Sequence, residues 1–184
     1  MPILKHQADV FPDSLLEEAI VSETRHWWLV YTRSRREKDL MRRLAAVQAH
    51  FFAPTYRRGQ RSPNGRIRFV QTLLFSNYVF LFGDEEARRQ AIETNCVARI
   101  DPISQGREFT DELRDLKRLL AGDRTITPEL RLENGAPVAI RSGPFRGLRG
   151  TLVKREKSNR LVVAVNFIQQ GASVEVFDFE IEAV

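Results

Sequence analysis

Cysteine is almost missing from this sequence of 184 residues, and Cys96, standing alone, cannot form an internal disulfide. Its apolar neighbours in Cys96-Val97-Ala98 predict a buried structural thiol. Histidine is nearly as scarce. His6, His26 and His50 are scattered, with no cysteine or carboxylate at metal-ligand spacing, so no metal or other cofactor is expected. No nucleophile–base pair stands out, and the glycine-rich stretch Gly143–Gly150 lacks the Gly-Lys-Ser/Thr ending of a phosphate loop. The chain therefore reads as a non-enzyme. It also has no apolar run long enough to cross a bilayer. Met1–Gln7 lacks the apolar segment of a signal peptide, which predicts a cytoplasmic protein with no membrane partner.

Negative charge is missing from one region in particular. Arg33, Arg35, Arg36, Lys38, Arg42, Arg43, Arg57, Arg58, Arg61, Arg66 and Arg68 follow one another with only Glu37 and Asp39 between them. Arginine dominates, and its planar guanidinium suits phosphate geometry, so the block predicts proximity to a nucleic acid. A solvated, solubilising face is the plainer alternative. Residues 1–24 are acidic instead (Asp9, Asp13, Glu17, Glu18, Glu23) and are expected to form an extension, partly ordered at best, with a short helix opened by a Ser14/Glu17 capping box.

Thr72–Phe82 is the most aromatic and apolar run in the chain and ends at Gly83-Asp84. A period of two puts Leu74, Tyr78, Phe80 and Phe82 on one face and Phe75, Val79 and Leu81 on the other, so both faces are apolar. That pattern predicts a central strand. Ser76-Asn77 interrupts its entry, and a bend there would release Phe75 and Tyr78 toward the surface.

Around that strand, Trp27–Thr32 predicts a first strand, followed by a helix from Arg35 to about Ala49 that Ser34 and Glu37 cap and that buries Leu40, Leu44 and Val47. A second strand over Phe51–Tyr56 leads to a polar hairpin tip between Arg57 and Arg66. Asp84 caps a further helix stopped at Asn95, Cys96–Ile100 is a strand, and Thr110 caps a helix stopped by Gly122. Residues 123–134 lack periodicity and read as a linker. From Pro137 onward, short alternating strands over Val138–Arg141, Thr151–Arg155, Leu161–Phe167, Ser173–Phe177 and Ile181–Val184 suggest a small closed β-barrel. Gly143 before Pro144 is expected to supply a tight turn, and Gly147 and Gly150 positive φ or a bulge, with Phe145 plugging the barrel end. The expected class is α+β: residues 1–24 an extension, 25–122 an antiparallel sheet flanked by helices, 123–134 a linker, and 135–184 the barrel.

Three segments carry a family resemblance. Val138-Ala139-Ile140-Arg141-Ser142-Gly143-Pro144-Phe145-Arg146-Gly147-Leu148-Arg149-Gly150 resembles a KOW motif, whose barrel is SH3-like. Trp27-Trp28-Leu29-Val30-Tyr31 with its charged helix is similar to the opening of a NusG N-terminal domain. Leu74-Phe75-Ser76-Asn77-Tyr78-Val79-Phe80 resembles that domain's Phe-Pro-Gly-Tyr or Phe-Pro-Asn-Tyr signature. The chain is thus similar to the NusG family of transcription factors, and Tyr31, Asn77 and Phe80 lean toward its specialised RfaH-like paralogs.

The resemblance implies a monomeric elongation or antitermination factor that binds the clamp helices of RNA polymerase and suppresses pausing or termination. It assigns the polymerase contact to Tyr31, Phe75, Tyr78 and Phe80, with Trp27 nearby, and turns Arg33, Arg35, Arg36, Arg42 and Arg43 toward upstream or non-template DNA. It gives the KOW domain a second partner, the ribosome or the termination factor Rho, through Phe145, Phe167 and Ile168. Three positions depart from the family. Ser76 replaces the signature proline, Arg89-Gln90-Ala91 replaces a His-Thr-Thr patch, and Ile168-Gln169-Gln170 replaces Phe-Gly-Arg. The barrel's strand alternation favours a stable sheet with no switch to helices. A ribosome- or RNA-associated KOW protein is the competing reading.

Overall fold

The computed structural model describes residues 8–155, 158–177 and 180–184. Residues 1–7 of the expected extension lie outside that range. The chain divides into two compact units, 1–54 with 75–107 and 55–74 with 108–184.

The first unit is built on an antiparallel five-stranded sheet in the order β1-β3-β6-β2-β7, formed by β1 (Val10–Phe11), β2 (His26–Thr32), β3 (His50–Phe52), β6 (Tyr78–Gly83) and β7 (Val97–Pro102). As its alternation predicts, β6 is central. It pairs with β2 from His26↔Gly83 to Tyr31↔Tyr78 and with β3 from His50↔Phe82 to Phe52↔Phe80. Val79, Phe80, Leu81 and Phe82 are all buried, as an apolar strand covered on both faces should be. Helix α2 (Glu37–Ala46) buries Leu40, Met41 and Leu44. In helix α3 (Glu85–Glu93), the Asp84 carboxylate accepts the Ala87 N–H at 3.0 Å, as a good N-cap does. Arg88 lies over the Trp28 ring at 5.6 Å.

Three local expectations change here. The acidic N-terminus is part of the fold from about residue 9: Val10↔Phe52 and Phe11↔Phe51 add β1 to the sheet, and α1 (Leu15–Glu18) buries Leu15 and Leu16. Apolar side chains at 10, 11, 15 and 16 outweigh the acids, which only need solvent; Ser14 makes no side-chain cap. Helix α2 starts at Glu37, later than expected, because Arg35 takes a left-handed φ of 60°, and it too lacks a side-chain cap. Left-handed Gln48 ends the turn that follows, and Val47 is exposed, not core.

In the second unit, β4 (Thr55–Arg61) and β5 (Ile67–Leu73) form a two-stranded hairpin, so β5 and β6 are separate strands in different sheets. Helix α4 (Gly106–Leu120) starts before Thr110, which is buried within it and is no cap. The C-terminal strands are β9 (Ala136–Ile140), β10 (Arg149–Lys154), β11 (Asn159–Val165), β12 (Gln170–Val176) and β13 (Ile181–Ala183). With β8 (Thr127–Glu129) they form a six-stranded antiparallel sheet in the order β13-β9-β10-β11-β12-β8. The expected linker is thus partly a strand, held by Gly171↔Glu129, Ala172↔Pro128 and Ser173↔Thr127. Gly147 adopts the expected left-handed φ, 85°, and Gly143, in its turn, is left-handed as well, at 81°. Gly150 is not; a Cβ there would collide with the Val162 carbonyl, so close strand packing explains it.

Candidate functional site

In the first unit, the aromatic residues singled out from sequence fall into a pair that reaches the surface and a buried base. Tyr31 and Tyr78 are register partners in β2 and β6, and their rings meet edge-to-face at 5.3 Å. Tyr31 is 39% exposed and Tyr78 half-buried. Phe75 is not released to the surface as its sequence context suggested. It is 2% exposed and packs edge-on against Phe80 at 6.1 Å. Phe80 and Trp27 are fully buried, and Trp27 meets Phe82 at 5.0 Å. Burial of apolar rings outweighs the bend: the chain turns after Phe75, leaving only Ser76 well exposed.

Two features hold this edge: a register shift that sequence reading missed, and a bend at Asn77, where it missed the Glu37 partner. The register of β2 against β7 shifts between Tyr31 and Thr32, and such an irregularity re-aims the flanking side chains. Asn77 sits at a left-handed φ of 68°, where its N–H donates to the Glu37 carboxylate at 2.9 Å and its carbonyl accepts the Thr32 N–H at 2.8 Å. Glu37 is buried for this task rather than closing a capping box. The only sequence signal for it was a carboxylate in an arginine-rich stretch.

Arg33, Arg35, Arg36, Arg42 and Arg43 are all exposed, at the start of and along α2. Three are partly neutralised: Arg36, Arg42 and Arg43 approach the Asp39 carboxylate at 3.0, 3.6 and 3.4 Å. The buried Cys96 thiol donates to the same carboxylate at 3.5 Å. Burial opposes ionisation of Asp39, but the Cys96 hydrogen bond and the charges of Arg43 and Arg36 prevail and hold it below the usual carboxylate range. The thiol is structural, as expected. A groove of about 290 Å³ lies between α2 and α3, lined by Arg43, Ala46, Val47, Gln90, Glu93 and Thr94. Arg89 is tied to Glu86 at 2.6 Å and Glu93 at 2.5 Å, and Ala91 is buried, so Gln90 alone of the Arg89-Gln90-Ala91 triplet reaches that groove.

In the second unit, the expected partner-binding residues are also divided. Phe145 is 3% exposed, covered by the Arg124 guanidinium at 5.6 Å and by Gly122, whose missing side chain makes room for the ring. It is core and offers no free surface. Phe167 is 44% exposed and meets Phe109 of α4 edge-on at 6.5 Å, while Ile168 is half-buried. Nearby, Glu112 accepts the Asn166 backbone N–H at 3.1 Å. Burial raises the Glu112 carboxyl above its usual range, partly offset by these Asn166 hydrogen bonds. Arg124, from the expected linker, forms a clasp. It pairs with the buried Glu180 carboxylate, donates to the Glu175 carbonyl at 2.7 Å and lies 5.8 Å from the Phe177 ring. Hydrogen bonding from Arg124 holds Glu180 below the usual carboxylate range, against the opposing effect of burial and with help from the Phe177 N–H.

Among the described residues no cluster of histidine, cysteine and carboxylates could hold a metal ion, and no helix is long and apolar enough to cross a membrane. Residues 25–110 match the family model NusG, whose description is transcription termination factor nusG. No curated protein matches the chain. The matched span contains β2, α2, the hairpin, β6, α3, β7 and the start of α4, and the mixed sheet-and-helix architecture fits an N-terminal domain of that type. NusG-family proteins are non-enzymatic transcription factors that generally bind RNA polymerase. The match supports a NusG-like assignment of this domain and, with it, a general role in transcription elongation or termination.

Proposed function

We propose that the chain is a transcription elongation or antitermination factor that docks on the clamp helices of RNA polymerase through the Tyr31–Tyr78 edge. The observation that carries this reading is an aromatic pair at the surface, exposed Tyr31 and half-buried Tyr78, beside a bend in the signature-like segment that a dedicated carboxylate, Glu37, braces. Ser76 replaces the signature proline; a left-handed asparagine with its N–H fixed by Glu37 defines the bend instead. Aromatic anchors at interface centres typically contribute about 2 kcal/mol or more. In this reading Phe75, Phe80 and Trp27 support the contact from beneath and do not touch the polymerase.

Arg33 and Arg35, which lack the Asp39 neighbour, face upstream or non-template DNA most directly, with Arg36, Arg42 and Arg43 behind them. We read residues 135–184, which carry β9 to β13, as a KOW-type SH3-like barrel, with Phe167 and Ile168 as its available partner contacts. A clamp-helix fragment presented to the full chain at low and moderate salt tests the docking. Retention at both salts supports it. Loss at moderate salt together with tight binding to free RNA would favour the ribosome- or RNA-associated alternative.

A further inference from the structure

The hairpin β4–β5 stands apart in composition and exposure from every other sheet element. Its two strands of seven residues pair from Thr55↔Leu73 to Arg61↔Ile67 and belong to no larger sheet. Between residues 55 and 74 there are five arginines and no aspartate or glutamate. Opposed residues of an antiparallel pair share a face, so Arg57, Arg61, Ile67 and Phe69 lie on one side and Arg58, Arg68 and Val70 on the other. Both sides are exposed over the distal five pairs. Phe69 is 59% exposed, opposite Gly59, with the Arg57 guanidinium over its ring at 4.3 Å. A strand pair meant to bury one face would segregate its apolar groups. This one places arginine and apolar side chains on both.

We infer that this hairpin is a duplex-DNA-binding ribbon that enters the major groove. The inference does not rest on the polymerase contact, which uses Tyr31 and Tyr78. Five uncompensated arginines select a polyanion, and the two-sidedness selects its shape. A single strand or an anionic membrane engages one face and leaves the arginines of the other in water. A groove has two phosphate walls, one for Arg57 and Arg61 and one for Arg58 and Arg68. The major groove of B-DNA, about 12 Å wide, admits a two-stranded ribbon. Duplex RNA carries comparable charge, but its major groove is too narrow for side chains to read.

The test is fluorescence anisotropy of the full chain with a 20-base-pair DNA duplex, the matching single strand, a duplex RNA and phosphatidylserine vesicles. The expected result is duplex DNA bound at least about tenfold tighter than the other three. Arg57→Ala/Arg61→Ala and Arg58→Ala/Arg68→Ala should each weaken it by about tenfold or more, because each strips one wall of its contacts. Arg107→Ala/Arg131→Ala, which removes the same charge from exposed positions elsewhere, should change it less than about threefold. Unchanged thermal midpoints establish that the variants are folded. Equal affinity for all polyanions, preference for the single strand or vesicles, or loss from only one of the two hairpin pairs overturns the inference.

Discussion

Strands β5 and β6 are separated by only residues 74–77 and both carry several large apolar side chains, yet their environments are opposite. In β6, Val79 and Phe80 are completely buried; in β5, Ile67 and Phe69 are more than half exposed. The difference lies in partners. Strand β6 is hydrogen-bonded on both edges, to β2 and β3, whereas β5 has β4 alone. Apolar content alone therefore did not decide burial here. What marks β5 in the sequence is the arginine interleaving of Arg66-Ile67-Arg68, which no core strand tolerates, since a buried unpaired charge is prohibitive.

That contrast is open to direct attack by substitution. The largest effect belongs to β6: Phe80→Ala should lower stability by about 3–5 kcal/mol in denaturant titration, because it opens a large cavity. A loss below about 1 kcal/mol would mean β6 is not core. Next comes the clasp that orders the supposed linker of the second unit. Glu180→Gln should cost about 3 kcal/mol at neutral pH, since it leaves Arg124 beside a neutral partner. Glu180 has a depressed folded pKa, so its contribution is full above the ordinary value of 4.5 and is lost as the pH falls through the folded value. The gap between wild type and Glu180→Gln should therefore narrow below about pH 4.5, and a pH-independent gap contradicts the assignment.

The segment joining the two strands gives a smaller effect. Glu37→Ala should cost about 1 kcal/mol by removing the acceptor for the part-buried Asn77 N–H, and amide exchange at Asn77 should accelerate. Protection equal to wild type would show that the carboxylate does not hold the bend. The smallest effect is in β5, where Phe69→Ala should stay within about 0.5 kcal/mol. If it destabilised the protein as much as Phe80→Ala, the comparison between the strands would collapse.

Periodicity made much of this legible in the sequence. The central strand, the Asp84 cap and the five C-terminal strands were readable from alternation and turn residues, which are local properties; the hairpin was only partly so, since the strand expected over Phe51–Tyr56 divides into β3 and the start of β4, and Arg57–Arg61, expected in the tip, belong to β4. The misses share a physical cause: each depends on a partner distant in sequence. Leu15 and Leu16 read as an acidic tail until β1 pairs with β3. Arg124 looked like linker until Glu180, far along the chain, gave it a counter-charge. Glu37 was assigned to the nearest helix N-terminus, whereas its partner is Asn77. At the candidate site, Tyr78 was singled out on the signature-like segment and Tyr31 on the Trp27–Tyr31 opening, but the burial of Phe75 was not legible, because a bend read from Ser76-Asn77 does not say which rings remain inside.

The central claim is that the exposed tyrosine pair, and not the rings beneath it, meets the polymerase. Titration of a clamp-helix fragment with wild type, Tyr31→Ala, Tyr78→Ala and the double variant tests it most directly, with near-UV circular dichroism confirming that each is folded. The account predicts that Tyr78→Ala weakens binding by tens of fold, about 2 kcal/mol, and that the double variant weakens it further. Wild-type affinity in a folded Tyr31→Ala/Tyr78→Ala protein would contradict it.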